Sequence, residues 1–435
     1  MKKINMNFAI ILSIIFLLLA CSNDEDTNES ASNSEGGATI DTLDGYWEGE
    51  ILIPDQPLPI ILEFENESGA ISIPVQGLQD YPLSRIELKE SELLFDMDLQ
   101  GQEISFAGQL KQEQISGTFT QQEQTFPFEL IKGSKEEAEV EDSELEEVVQ
   151  VKGGAMEGKV EMPEGDGPFP VSIIIAGSGP TDKDGNSAAM PGKNNGLKML
   201  AEDLASQGIA SIRYDKRGVG TNMTLVSSEE DLRFEDYIGD AAAWIEHAKG
   251  SDLFSSVSVI GHSEGSLIGM AAAYKADAEA FISLAGAGRP VDEVLLEQVE
   301  AQLPSHLFEE STDILEQLKQ GERVQDISPE LESVFRSSVQ PYMISWLKYN
   351  PKEELEKLDI PVLIINGTRD IQVPVADAER LHEVDQSSEL LIIDDMNHVL
   401  KDAPADQEGN MATYSDPNLP LTDGLVDDIA EFLKN

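Results

Sequence analysis

The sequence predicts a doubly wound, mostly parallel α/β domain with a helical lid, preceded by a small all-β, barrel-like domain. Three observations predict it. Over residues 151–435, short apolar runs alternate with amphipathic stretches, the order that builds a parallel sheet covered by helices. Over 41–133, eight brief runs of alternating apolar residues are separated by turn formers, as in antiparallel strands. At about 287–357 the strand pattern pauses and amphipathic stretches take over, where a lid would be inserted. A chain of 435 residues is also longer than one compact domain usually needs.

The chain opens on a different kind of segment. Lys2 and Lys3 precede a nearly continuous apolar run over 8–20, and Leu18-Leu19-Ala20-Cys21 follows directly. This segment resembles the signal peptide of bacterial lipoproteins, which is cut before a cysteine whose thiol carries a diacylglycerol. The resemblance implies that residues 1–20 are removed and that Cys21 anchors the chain, outside the cytoplasm, to a bacterial membrane. Cys21 is the only cysteine, so no internal disulfide can form. The apolar run is also short for a membrane-spanning helix. Residues 21–40, rich in Ser, Asn, Asp and Glu, have little to bury and read as a flexible acidic tether.

Twenty-nine basic residues against 83 acidic ones give a net charge of −54, which argues against binding nucleic acid or anionic lipid through basic patches. Membrane contact must then come from acyl chains, at about 0.8 kcal/mol per buried methylene.

In the β domain the expected strands are 46–53, 59–64, 70–75, 83–88, 93–99, 104–110, 115–120 and 126–131, with turns such as Glu67-Ser68-Gly69 and Gln100-Gly101-Gln102. A barrel of about eight strands either holds one small ligand or fills with side chains. No cluster of titratable residues marks a pocket, which favours a filled core. Residues 134–150 form a second acidic stretch, expected to be an interdomain linker.

In the α/β domain the expected buried strands are 171–176, 209–214, 257–260, 281–284, 362–365 and 390–393, with a covering helix over 197–207. The third strand runs into Gly261-His262-Ser263-Glu264-Gly265 and then a helix-prone, Ala-rich stretch. In a chain of 34 glycines the motif alone is weak, but strand before and helix after are the setting of a nucleophile elbow on Ser263. A serine hydroxyl needs a base, and the base needs a carboxylate to orient it. Of five histidines, His398 follows the strand ending at Ile393, at the carboxyl edge of the sheet. His247, His306 and His382 fall in helical or lid segments, and His262, beside the nucleophile, is expected to point elsewhere. Asp370 emerges at the same edge as His398, which gives the order Ser263, Asp370, His398; Asp394 and Asp395 are rival carboxylates too close to the strand end. The oxyanion donors are expected to be the backbone N–H groups of Glu264 and, from Gly177-Ser178-Gly179-Pro180, Ser178, with Gly179 able to displace the latter. That glycine loop lacks the lysine and spacing of a P-loop. Asp182-Lys183-Asp184-Gly185-Asn186 has its glycine in the wrong place for an EF-hand, so neither metal nor cofactor is implied.

From about residue 154 onward the chain resembles bacterial α/β-hydrolase carboxylesterases and the serine aminopeptidase-like hydrolases near them. The matching segments are 177–186, Tyr214-Asp215-Lys216-Arg217-Gly218-Val219-Gly220, the serine elbow, Asn366-Gly367-Thr368-Arg369-Asp370 and Asn397-His398. They look most like an esterase group with a small β domain ahead of the hydrolase. The resemblance implies hydrolysis of a small-molecule ester or acyl substrate through an acyl-enzyme. Asp215 and Arg217 are expected to brace their turn. Phe335, Tyr342, Met343, Trp346 and Leu347 are candidates to line a lid pocket or to serve as core. Two alternatives remain open: a serine peptidase or aminopeptidase with the same triad, and a non-catalytic lipid-binding lipoprotein.

Overall fold

A computed structural model of the chain describes residues 43–52, 58–65, 68–73, 78–89, 91–99, 102–111, 113–121, 124–133, 145–187 and 192–434. The expected signal peptide, Cys21 and the tether lie outside the described residues, as does 134–144 of the expected linker. The chain divides into two compact units near residue 143.

The first unit is all β. Its strands are β1 (Gly45–Ile51), β2 (Leu58–Glu65), β3 (Ser68–Ile73), β4 (Leu78–Pro82), β5 (Arg85–Lys89), β6 (Glu92–Leu99), β7 (Gln102–Lys111), β8 (Gln114–Gln121) and β9 (Gln124–Lys132). They form one antiparallel sheet in the order β4-β3-β2-β1-β9-β8-β7-β6-β5. Strands β4 and β5 are the two edges, yet only Leu83 and Ser84 join them. Laid flat, nine strands at roughly 4.8 Å spacing would hold those edges about 38 Å apart, far beyond the reach of two residues. The sheet therefore rolls up. The Leu83 N–H bonds the Gly69 carbonyl of β3 at 2.9 Å, and the Ser84 N–H bonds the Asp96 carbonyl of β6 at 2.8 Å, so the connector ties both sides of the seam.

Period-two alternation turns Ile60, Leu62 and Phe64 of β2, and Leu93, Phe95 and Met97 of β6, into the interior. Phe95 stacks on Phe106 at 4.5 Å and meets Phe64 and Phe128 edge-on at 6.0 Å. Aromatic side chains thus occupy the interior, and truncating one to alanine typically costs about 3–5 kcal/mol. Strand β4 was absent from the sequence expectation because its five residues carry no period-two apolar pattern and end in Pro82, tolerated at a sheet edge.

The second unit holds an eight-stranded sheet of β10 (Leu145–Val151), β11 (Gly154–Glu161), β12 (Phe169–Ile175), β13 (Ala210–Tyr214), β14 (Phe254–His262), β15 (Ala280–Leu284), β16 (Val362–Gly367) and β17 (Glu389–Ile393). The order is β10-β11-β13-β12-β14-β15-β16-β17. From β13 to β17 all neighbours are parallel; β10 and β11 add an antiparallel edge. Residues 145–150, expected as linker, are instead the outer strand β10. Its Val149 packs inward, while Glu146 pairs with Lys159 at 2.9 Å and Glu147 lies 3.3 Å from His247. The two adjacent acidic residues point to opposite faces of the strand, each beside its own partner.

The helices are α1 (Gly196–Ser206), α2 (Phe234–Lys249), α3 (Glu264–Ala276), α4 (Val291–Gln302), α5 (Ser305–Lys319), α6 (Glu332–Phe335), α7 (Gln340–Trp346), α8 (Pro351–Leu355), α9 (Val375–Val384), α10 (Gln407–Ala412) and α11 (Leu425–Lys434). One apolar core joins α2 and α3 to the sheet and a second joins α1 and α11 to it. Helices α4 to α8 fall between β15 and β16, in the interval expected for the lid. The chain leaves β12 for β13 on one side and returns to β14 on the other, so strand order reverses at β12. At such a switch point the loops leave the carboxyl ends of two adjacent strands in opposite directions and open a crevice. Here the flanking loops begin at Ala176-Gly177 and at Ser263.

Candidate active site

Ser263 caps α3 with φ 56° and ψ −121°. Such a conformation in a non-glycine residue costs on the order of 1–3 kcal/mol and persists only where its surroundings impose it. The Ser263 N–H bonds the Leu284 carbonyl at 2.9 Å, and the Ser266 N–H bonds the Ser263 carbonyl at 3.0 Å. A Cβ on Gly261 would fall 2.2 Å from the Gly265 carbonyl oxygen, and one on Gly265 would fall 2.3 Å from that of Ile175. Both flanking glycines are therefore required by close backbone approach.

His398 and Asp370 meet in space although 28 residues separate them. His398 Nδ1 lies 2.8 Å from Asp370 Oδ2, and Asp370 Oδ1 accepts the N–H groups of Gln372 at 2.8 Å and Val373 at 2.9 Å. A carboxylate held this way takes the imidazole Nδ1–H and leaves Nε2 as the basic nitrogen. The His398 loop is shaped by Asn397, whose Oδ1 accepts from Val399 and Lys401 N–H, both at 3.2 Å, and whose Nδ2 donates to Thr413 at 2.7 Å. Asp395, a rival carboxylate, is exposed and pairs with Arg369 at 3.1 Å.

Ser263 and His398 line one cleft with Gly177, Ser178, His262, Thr181, Asn194, Gln372 and Tyr414. A second cleft shares Ser263, Ser178 and Gln372, and is walled by Leu267, Val291, Val294, Leu295 and Trp346. Of the two expected oxyanion donors, Ser178 lines both clefts and Glu264 the second. Glu264 is the first residue of α3, so its N–H lies outside the helix's own ladder of bonds. A Cβ on Gly177 would sit 3.1 Å from Ser263 Cβ, which brings the Gly177 backbone against Ser263. Among the described residues, no group of three or more His, Cys, Asp or Glu is placed to hold a metal ion.

His262 does not point away from the site as expected. Its ring lies 4.9 Å from that of His398, and its Nε2 is 2.8 Å from the His398 carbonyl oxygen. A carbonyl only accepts, so Nε2 carries the hydrogen and Nδ1, buried without a hydrogen-bond partner among the described residues, keeps a lone pair. Burial, reinforced by the neighbouring His398, pushes the His262 pKa down to about 4. Between that value and the ordinary range near 6.5, the unfolded chain binds a proton that the folded chain refuses. This increment of stability is therefore present at neutral pH and is lost as pH falls through the window, by up to about 3 kcal/mol. Urea unfolding of wild type and His262→Gln is expected to diverge accordingly between pH 7 and pH 4.5; a difference that stays constant with pH would contradict the assignment.

Three residues of the segment 215–217 behave differently. Asp215 accepts the N–H of Lys183 at 2.8 Å and of Thr221 at 3.1 Å, and Arg217 Nε donates to Asp240 at 2.7 Å, so both brace the turn. Lys216 is buried, and its Nζ donates to the Gly177 carbonyl and lies 3.3 Å from Glu264 Oε2. Sequence reasoning left Lys216 without a role; its place just past a strand end at the carboxyl edge was the available signal. Of the aromatic lid candidates, Trp346 reaches the second cleft and Tyr342 donates to Glu264 Oε1. Phe335 and Met343 are core residues, with Leu347 packed partly against them.

The family model described as serine aminopeptidase, S33 (Hydrolase_4) matches residues 194–401. Esterase EstD of Thermotoga maritima is 29% identical over 335 residues, covering 75% of this chain and 75% of that protein. Among solved structures, Est1E from Butyrivibrio proteoclasticus aligns at 18% identity and a TM-score of 0.43, over 67% of this chain and 99% of its own. A thermophilic esterase from Thermogutta terrifontis aligns at 18% identity and 0.41, over 67% and 98%.

Proposed function

Starting from a chain that belongs to the α/β-hydrolases, in the group of carboxylesterases and serine aminopeptidase-like hydrolases, we propose that it is a carboxylesterase held at a bacterial membrane surface by lipid on Cys21. The observation that carries the catalytic part is the Asp370–His398 pair at 2.8 Å on the wall of the cleft that also holds the strained Ser263. In this reading Ser263 attacks the ester carbonyl while His398 Nε2 takes its proton, and Asp370 holds the imidazole in the required tautomer. The N–H groups of Ser178 and Glu264 receive the oxyanion. His398 then returns the proton to the departing alcohol, and water repeats the cycle on the acyl-enzyme.

That proton delivery orients the substrate. The leaving oxygen must sit at His398, so the alcohol occupies the cleft with Thr181, Asn194 and Tyr414. The acyl group takes the more apolar cleft of Leu267, Val294, Leu295 and Trp346. An aminopeptidase needs a carboxylate to bind the substrate amine. Among the described residues, the one acidic residue lining either cleft is Glu264, and its carboxylate is engaged by Lys216 and Tyr342. This favours esters over aminoacyl amides.

Anchoring rests on the sequence around Cys21. One experiment examines both parts: p-nitrophenyl acyl esters and aminoacyl p-nitroanilides are offered to membrane and soluble fractions of cells expressing wild type or Cys21→Ala. Ester turnover is expected in the wild-type membrane fraction and in the soluble fraction of the variant, with anilide turnover at least 100-fold slower. Faster anilide cleavage would replace the esterase reading by a peptidase one, and unchanged partitioning of Cys21→Ala would remove the anchor.

A further inference from the structure

The buried pair of Lys216 and Glu264 joins the two arms of the oxyanion hole. Lys216 leaves the end of β13 and its side chain is 2% exposed, as is that of Glu264. Its ammonium donates to the Gly177 carbonyl, lies 3.3 Å from Glu264 Oε2 and stands 5.1 Å above the Tyr237 ring. Tyr342 of α7 donates to the other Glu264 oxygen, so both oxygens of the buried carboxylate have partners. The Gly177 carbonyl and the Ser178 N–H are two ends of one planar peptide unit. A cation on the carbonyl end fixes the plane and withdraws electron density, which makes the N–H at the other end a stronger donor. Glu264, meanwhile, is the residue whose own N–H forms the second arm.

Stability alone is a poor reason for this pair. Taking two charges out of water costs about as much as their attraction returns, and apolar replacements of such pairs are often neutral. Burial draws the Lys216 pKa below the ordinary lysine value, with Glu264 opposing that shift. The pair's geometry sets Lys216 Nζ between the Glu264 carboxylate and the Gly177 carbonyl, at the point where it bears on the hole.

We propose that Lys216 is a positioning residue for the oxyanion hole: its ammonium, anchored by Glu264, orients and polarises the Gly177–Ser178 peptide toward the charge that develops on the substrate oxygen. The inference rests on the acyl-transfer reading of the site. Because it concerns the transition state, it predicts a loss in kcat and little change in KM. Removing a donor outright typically lowers kcat by about 10²–10³; a donor weakened and loosened should lose roughly ten- to a hundredfold.

The test uses the whole chain with Lys216→Met, Lys216→Arg and the double variant Lys216→Met/Glu264→Gln, the last relieving the unpaired buried carboxylate. Expected are a ten- to hundredfold lower kcat in Lys216→Met with KM within twofold, and recovery of at least fivefold in Lys216→Arg. The double variant should melt close to wild type and yet keep the low kcat. Recovery of kcat in the double variant would make the pair merely structural and overturn the inference, as would a change confined to KM. Phenylboronic acid, which forms a tetrahedral adduct on serine, supplies a readout that needs no turnover. Calorimetry should give at least tenfold weaker binding to Lys216→Met than to wild type, and equal binding overturns the inference. Loss of boronate binding in both wild type and Ser263→Ala would instead strike the acyl-transfer reading itself.

Discussion

Ser263→Ala is expected to lower ester hydrolysis by about five to six orders of magnitude in kcat while leaving the protein folded. The residual rate is what the remaining oxyanion donors and the two clefts can give to water acting alone. Alanine meets the same positive φ of 56° as serine, and the bonds that impose it run through the backbone to Leu284 and from Ser266, so neither the strain nor its restraint is removed. The melting temperature should accordingly stay within a few degrees of wild type. Initial rates with p-nitrophenyl butyrate, a fluorophosphonate label on wild type and its loss in the variant form the check. A variant retaining more than about 1% of wild-type turnover would move the nucleophile elsewhere.

Asp370→Asn should cost roughly 10⁴-fold in kcat, a loss of the size seen when the equivalent carboxylate of a serine triad becomes an amide. The bonds of Asp370 give the reason. Oδ1 already accepts two backbone N–H groups, from Gln372 and Val373, so the amide oxygen of asparagine is drawn to that position. Its NH₂ then faces His398 Nδ1, 2.8 Å away in the wild type. A donor there leaves Nδ1 as the acceptor and places the imidazole hydrogen on Nε2, the nitrogen that must take the serine proton. The defect is one of tautomer, so KM should change little. A variant with more than a tenth of wild-type kcat would show that another carboxylate, or none, orients His398.

Most of the frame was legible because it is written in local patterns. Strand and helix periods located β12 to β17, and three motifs at strand ends brought Ser263, Asp370 and His398 to one edge. What escaped depended on partners distant in sequence. Strand β10 was hidden by Glu146 and Glu147, which read as linker charges until Lys159 and His247 are seen to answer them. Strand β4 is too short and polar to announce itself. Lys216 sits between two charged residues of a turn, where a solvated lysine is the ordinary expectation, since lysines are almost never fully buried unless paired. Its partner Glu264 lies 48 residues further on. His262 was set aside on the assumption that a neighbour of the nucleophile turns away, whereas the His398 carbonyl draws its ring in.

The two-residue seam between β4 and β5 also bears on how copies of the chain behave beside one another. A nine-stranded antiparallel sheet left open would present two ladders of unpaired N–H and C=O groups, each able to template a strand from another molecule. Here Leu83 and Ser84, where the two edges meet, spend their own amides on β3 and β6. Pro82, at the end of one ladder, removes a donor from it. Strand addition from a neighbouring copy is thereby blunted at the seam, where two amides are already spent and a third is missing.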